Sequence, residues 1–220
     1  MGTVIPLGDA SRRPAHFSVV TAVIILLNGL VFILELQGGE PFVTRWSAVP
    51  ADIFAGHHWI TLLTSMFMHA SWSHIIGNML FLWVFGPEIE DAMGPLRYAL
   101  FYVVGGVVAM LAQVAVSPTS TVPSLGASGA IAAVMGAFLV TYPRDRIKAL
   151  LVIFVFVRVT FIPAALLIGV WFLMQLVSVG SVVTTAQTGG VAYLAHIGGM
   201  VFGALTGRLL EDPRRIAAQG

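Results

Sequence analysis

The sequence predicts an all-α, polytopic membrane protein, a bundle of six transmembrane helices. Composition is the first ground. Of 220 residues, 58% are hydrophobic before the 23 glycines are counted, against roughly 45–50% with glycine included in soluble domains. Charge is the second: 10% of the residues are charged, where about 25% is usual. With 11 Lys and Arg and 10 Asp and Glu, the chain cannot clothe a soluble globule in a polar shell, and the mean hydropathy of +0.93 agrees. The third ground is order: apolar runs of membrane length alternate with short polar segments that hold the basic residues. A soluble enzyme, a secreted disulfide scaffold and a disordered chain are excluded. The absence of cysteine excludes disulfides, thiolate metal sites and cysteine catalysis. The net charge of +1 carries no nucleic-acid signal, and no nucleic acid is expected as a partner.

Residues 1–16 read as a cytoplasmic N-terminal segment carrying Arg12 and Arg13. The first run, Phe17–Leu36, has 20 residues, enough for about 30 Å of hydrocarbon. A signal peptide has a shorter apolar stretch and a small-residue cleavage site, and Glu35-Leu36-Gln37 is a poor one, so this helix is read as retained. The outer segment Gly38–Phe67 is too long for a mere connection. Its broken apolar stripe (Val49, Ile53, Phe54, Trp59, Ile60, Leu63) is interleaved with His57, His58 and Thr61, as in a partly membrane-embedded loop.

Further spans are expected at about 72–86, 96–116 and 126–142, bounded by Pro87-Glu88, Gly94-Pro95, Pro118, Pro123 and Pro143. The stretch 147–180 would measure about 51 Å as one helix, too long for one crossing. It is also too short in apolar residues before Arg158 for two. An interfacial piece to about Arg158 and one span at 161–179, with Pro163 in its first turn, is the better reading. The sixth span is expected at 191–210, closing a membrane domain of 17–210, and 211–220 is a cytoplasmic tail. With the N-terminus inside, ten of the 11 basic residues lie on the inner side and only Arg45 outside. Both termini are therefore expected in the cytoplasm, and the protein in the plasma (cell inner) membrane.

Polar groups inside such spans are expensive, so they are functional candidates. His74 and Asn78 are four residues apart on one helical face, with His69 just before them. Ser128 stands in Gly126-Ala127-Ser128-Gly129, after a polar, proline-containing loop and at a helix start, where free backbone N–H groups can hold an anion. His196 shares a face with Gly199 and Gly203, the kind of small-residue face that packs on a neighbour. Each has a blander counterpart, since buried histidines and Gly-x-Ser-Gly runs also serve helix packing. A histidine-ligated metal is set aside, because no His-Glu-x-x-His occurs and no carboxylate lies in these spans. A serine needs a base at hydrogen-bond distance to become a nucleophile, and His196 is the histidine that helix packing can bring to Ser128.

Taken together, His69-x4-His74-x3-Asn78, Gly126-x-Ser128-Gly129 and Ala195-His196-x-x-Gly199-x-x-x-Gly203, in that order on the second, fourth and sixth spans, resemble the rhomboid intramembrane serine proteases. Leu80–Arg97, with Phe85-Gly86, Glu90 and Gly94, resembles the family as well. The resemblance implies a Ser128 nucleophile and a His196 general base without an acidic third member. It implies an oxyanion hole of His74, Asn78 and the Ser128 backbone N–H, supported by His69, Gly126, Gly129, Gly199 and Gly203. No metal or cofactor would be needed. The partners would be the lipid bilayer and transmembrane protein substrates cut in or near their helices, and the chain is read as a monomer. Two positions depart from the family pattern. Ile60 follows Trp59 where an arginine is frequent, and Ala132 stands where a tyrosine often stacks on the histidine. Two other classes compete: an inactive scaffold that binds membrane proteins, and a transporter, for which inverted halves are missing.

Overall fold

The computed structural model describes residues 2–153, 156–185 and 193–218. Residues 186–192, which include the expected last outer loop and the start of the sixth span at 191, lie outside them, as do the last two residues of the tail. Among the described residues, six helices of 14 residues or more form the body: α1 (Val19–Trp46), α4 (Trp72–Met93), α5 (Pro95–Val116), α6 (Ser128–Thr141), α7 (Ala164–Thr185) and α8 (Tyr193–Leu210). Among the described residues, α1 and α5 are the two long and apolar enough to cross a membrane, while α6 and the Ala164–Met174 part of α7 are shorter apolar helices.

Helix α6 is the centre. Every residue from Gly129 to Phe138 is buried, as a helix apolar on all sides requires, with α4, α5 and α8 around it. The α6–α8 seam is built from small residues. A Cβ at Gly199 would overlap the Gly129 carbonyl, one at Gly203 the Ala133 carbonyl, and one at Gly207 would stand 2.7 Å from the Ala137 Cβ. Glycine here lets two backbones touch, the source of helix association where hydrophobic drive is absent.

The mostly helical body fits the expected all-α bundle, with one addition. A three-stranded antiparallel sheet joins β1 (Gly2–Asp9) to β2 (Arg146–Ile153) and β3 (Phe156–Pro163), in the order β1-β2-β3. The expected interfacial piece is thus a hairpin rich in Val, Ile and Phe, residues suited to a pleated, half-buried surface. Pro163 ends β3 instead of lying in a helical first turn, and α7 begins at the next residue. The N-terminal segment is the sheet's other edge. Arg12 ties it down through the Asp145 carboxylate, its guanidinium lying 3.9 Å over the Tyr142 ring.

The helix that holds the second span runs past its expected end at 86. Pro87 does not stop α4, which runs on to Met93, because its carboxylates find partners there. Glu90 accepts the backbone N–H groups of Val20 (2.9 Å) and Thr21 (2.7 Å) and the Thr21 hydroxyl (2.8 Å). It satisfies free donors at the start of α1, where Ser18 makes no side-chain cap. Asp91 accepts the Ala15 N–H at 2.8 Å, with His16 Nδ1 at 2.8 Å and Arg215 at 3.6 Å.

The segment Gly38–Phe67 is more helical than a loop. Helix α1 breaks at Gly39, whose φ of 58° and ψ of −150° leave the helical region, and continues to Trp46. Two short helices follow, α2 (Pro50–Phe54) and α3 (Thr61–Thr64). Without an arginine after Trp59, the segment is held by its backbone. Ala48 and Ser124 exchange two hydrogen bonds (3.0 and 2.7 Å), and the Ala51 N–H reaches the Ser120 carbonyl at 3.0 Å. These bonds pin the segment to the loop that leads into α6.

Candidate active site

Ser128 is the first residue of α6. The Ile131 N–H closes the first turn on the Ala127 carbonyl at 3.0 Å, so the N–H groups of Ser128, Gly129 and Ala130 stand ahead of the helical ladder. Gly126 shapes the approach. Its φ of 132° is a left-handed-side value that favours glycine. A Cβ there would lie 2.9 Å from the His74 ring, and its N–H is fixed by the Ser65 carbonyl at 2.9 Å.

His196, on α8, places Nε2 2.6 Å from Ser128 Oγ. The two residues are 68 apart in the chain; the glycine seam closes that distance. With Nε2 facing the hydroxyl, the imidazole can accept the serine proton.

His74 and Asn78 come from the start of α4, whose N-cap is Ser71: its hydroxyl accepts the His74 N–H at 3.2 Å. The Ala70 N–H points at His74 Nδ1 (3.4 Å), which makes Nδ1 the acceptor and assigns the proton to Nε2. A Cβ on Gly126 would stand 3.0 Å from that nitrogen and 3.6 Å from Ser128 Oγ. Asn78 is buried, and its Nδ2 has no hydrogen-bond partner among the described residues. A buried amide donor left unmade is costly, unless a ligand takes it up. His69 packs edge-on against His74, ring centroids 5.0 Å apart, and its N–H is held by the Glu35 carboxylate at 2.9 Å.

A cavity of about 600 Å³ joins these groups. His74, Asn78 and Phe81 line it from α4, Ser128, Ile131 and Met135 from α6, Trp171 from α7 and His196 from α8. The polar residues on its wall are Ser71, Ser73, His74, Asn78, Ser128 and His196, and the rest of the lining is apolar or glycine, so a few polar groups converge in a mostly greasy chamber. The structure brings together all four polar residues singled out in the sequence, and sets Gly126, Gly129, Gly199 and Gly203 where backbones or rings come close.

Three contributors escaped sequence reading. Ser71 was legible in principle, as a serine opening an apolar run. Glu35, at the end of an apolar run, gave no sign that it would reach His69. Trp171, 5.4 Å from the His196 ring, had no signal beyond being aromatic in an apolar stretch.

Comparison with known proteins agrees with this arrangement. The family model described as the Rhomboid domain matches residues 56–212. Rhomboid protease GluP of Bacillus subtilis is 32% identical over 120 residues, which cover 53% of this chain and 23% of that protein. RHOMBOID-like protein 12, mitochondrial, of Arabidopsis thaliana is 29% identical over 198 residues, 83% of this chain and 55% of that one. Rhomboid protein 1, mitochondrial, of Saccharomyces cerevisiae is 29% identical over 172 residues, 73% and 46% respectively. The chain thus spans from about a quarter to just over half the length of these curated relatives.

Proposed function

Because the chain belongs to the rhomboid family, whose members are multi-pass membrane proteins and include serine intramembrane proteases, we propose that it is an intramembrane serine endopeptidase using a Ser128–His196 dyad. The observation that carries this reading is the 2.6 Å contact between His196 Nε2 and Ser128 Oγ in the cavity. Ser128 Oγ attacks the carbonyl carbon of a substrate peptide bond while Nε2 takes its proton. The carbonyl oxygen becomes an oxyanion held by Asn78 Nδ2, His74 Nε2–H and the Ser128 N–H. The imidazolium then protonates the leaving amine, and water, activated by the same histidine, frees the acyl group.

Substrates would be membrane proteins cut in or near a transmembrane helix. The length of α6 supports a buried site. Its 14 residues rise about 21 Å, some 9 Å short of a ~30 Å hydrocarbon core. If Thr141 lies at the inner face, Ser128 lies below the outer one, and water must reach it through the cavity.

The test is labelling of the detergent-solubilised protein by a serine-directed fluorophosphonate. Modification at Ser128 is expected; an unlabelled wild type would favour the inactive scaffold. Asn78→Ala is expected to slow cleavage about 10²-fold, the lower end of the range for one oxyanion donor, since His74 and the Ser128 N–H remain. A rate unchanged in this variant would remove Asn78 from the oxyanion hole.

The proposed topology is six spans with both termini in the cytoplasm, resting on the basic-residue split. The chain has no cysteine, so single reporters are clean. An impermeant thiol reagent applied from outside should modify Thr119→Cys and spare Ala10→Cys and Ala218→Cys. Outside labelling of Ala218→Cys would contradict an even number of spans.

A further inference from the structure

The histidine of the dyad has a ring partner on a helix other than the serine's. The indole of Trp171, on α7, lies 5.4 Å from the His196 ring, the planes inclined by 44°, and lines the cavity beside Ser128. One turn after Ser128, where the resembled family often places a stacking tyrosine, stands Ala132. It is fully buried, its Cβ 3.3 Å from where a Cβ on Gly199 would sit. The serine helix therefore offers no ring to the imidazole at this position. On α7, Leu166, Val170, Leu173 and Met174 are exposed, whereas Trp171 is half-buried and turned into the site.

We propose that Trp171 is a positioning residue that holds the His196 imidazole on Ser128, a role that rests on the serine-protease reading. The terminal torsion that sets where an imidazole nitrogen points is broad for histidine. The flat indole against the His196 ring narrows that torsion and keeps Nε2 at the hydroxyl. The same contact acts after proton transfer. The imidazolium then faces an indole, the aromatic side chain that attracts cations best. The orientation of the base is thereby tied to α7, not to the serine helix.

The experiment compares wild type, Trp171→Phe and Trp171→Leu in liposomes, with a cleavable transmembrane substrate, and measures fluorophosphonate modification of Ser128 in parallel. The leucine variant is expected to lose about ten-fold in kcat with KM unchanged, the scale of a desolvated cation–π contact. Labelling of Ser128, which needs no substrate helix to enter, should slow by a similar factor. The phenylalanine variant should keep a third or more of both rates. Wild-type rates in the leucine variant overturn the proposal. So does an equal loss in both variants, which would mean lost volume, and so does a rise in KM alone, which would mean substrate contact. Should the leucine variant fail to fold, Trp171→Met, unbranched and without a ring, takes its place under the same criteria. A wild type that neither cleaves nor labels overturns the protease reading itself, so the two failures are told apart.

Discussion

Ser128→Ala and His196→Ala are each expected to reduce cleavage to background, a loss on the order of 10⁶-fold, while the helices stay assembled. In the proposed dyad Ser128 supplies the nucleophilic oxygen, which lies 2.6 Å from His196 Nε2. His196 is its proposed base, without which the serine hydroxyl would stay protonated at neutral pH. The two act as a unit, so the double variant should be no slower than either single one. Fluorophosphonate labelling separates the roles: Ser128→Ala loses the labelled atom, His196→Ala its activation. Cleavage that survives Ser128→Ala would end the serine-protease reading, and chelator-sensitive cleavage would turn attention to a metal.

The second large effect is expected far from any reacting atom. Gly199→Val should insert and fold yet fall more than 10²-fold in rate. A Cβ at Gly199 would overlap the Gly129 carbonyl oxygen and stand 3.1 Å from its carbon. Backbone cannot step aside as a flexible side chain does, so α8 must move from α6 by an ångström or more. His196 is one turn before Gly199 on α8, and Ser128 is the neighbour of Gly129 on α6, so the same displacement opens the 2.6 Å contact. A misplacement of that size costs about 10²-fold by itself, and the branched side chain adds to it. Val201 is the control: it is 46% exposed, and Val201→Leu should be mild. Near-normal cleavage by Gly199→Val would show that the seam does not set the dyad distance.

The legible part of the site was legible for a chemical reason. In spans made almost wholly of apolar residues, a histidine, an asparagine and a serine beside glycines are rare enough to stand out, and the i, i+4 spacing of His74 and Asn78 assigns them to one face without any knowledge of neighbours. The Gly199–Gly203 face of α8 is local in the same way. The hairpin was not legible. A short run of Val, Ile and Phe suits a strand or a buried helix equally by pattern, and its choice depends on β1, some 140 residues earlier in the chain. Pro87 misled for a related reason. It reads as a helix stop, yet Glu90 and Asp91 beyond it are drawn into helix by donors of the N-terminal segment and α1, which no window around Pro87 contains.

The sequence by itself determined the membrane class, from a charge content too low for a soluble surface, and singled out Ser128, His196, His74 and Asn78 as candidates. Composition and helical periodicity are local quantities, and both survive folding unchanged. Tertiary structure alone decided that Ser128 and His196 meet at 2.6 Å, that Asn78 comes to the wall of the same cavity, and that a ring against His196 comes from Trp171 on α7 while position 132 is an alanine. Each of these is a contact between residues remote in sequence. Its geometry follows from how closely two glycine-bearing backbones approach, and that distance belongs to the packed pair of helices, not to either one alone.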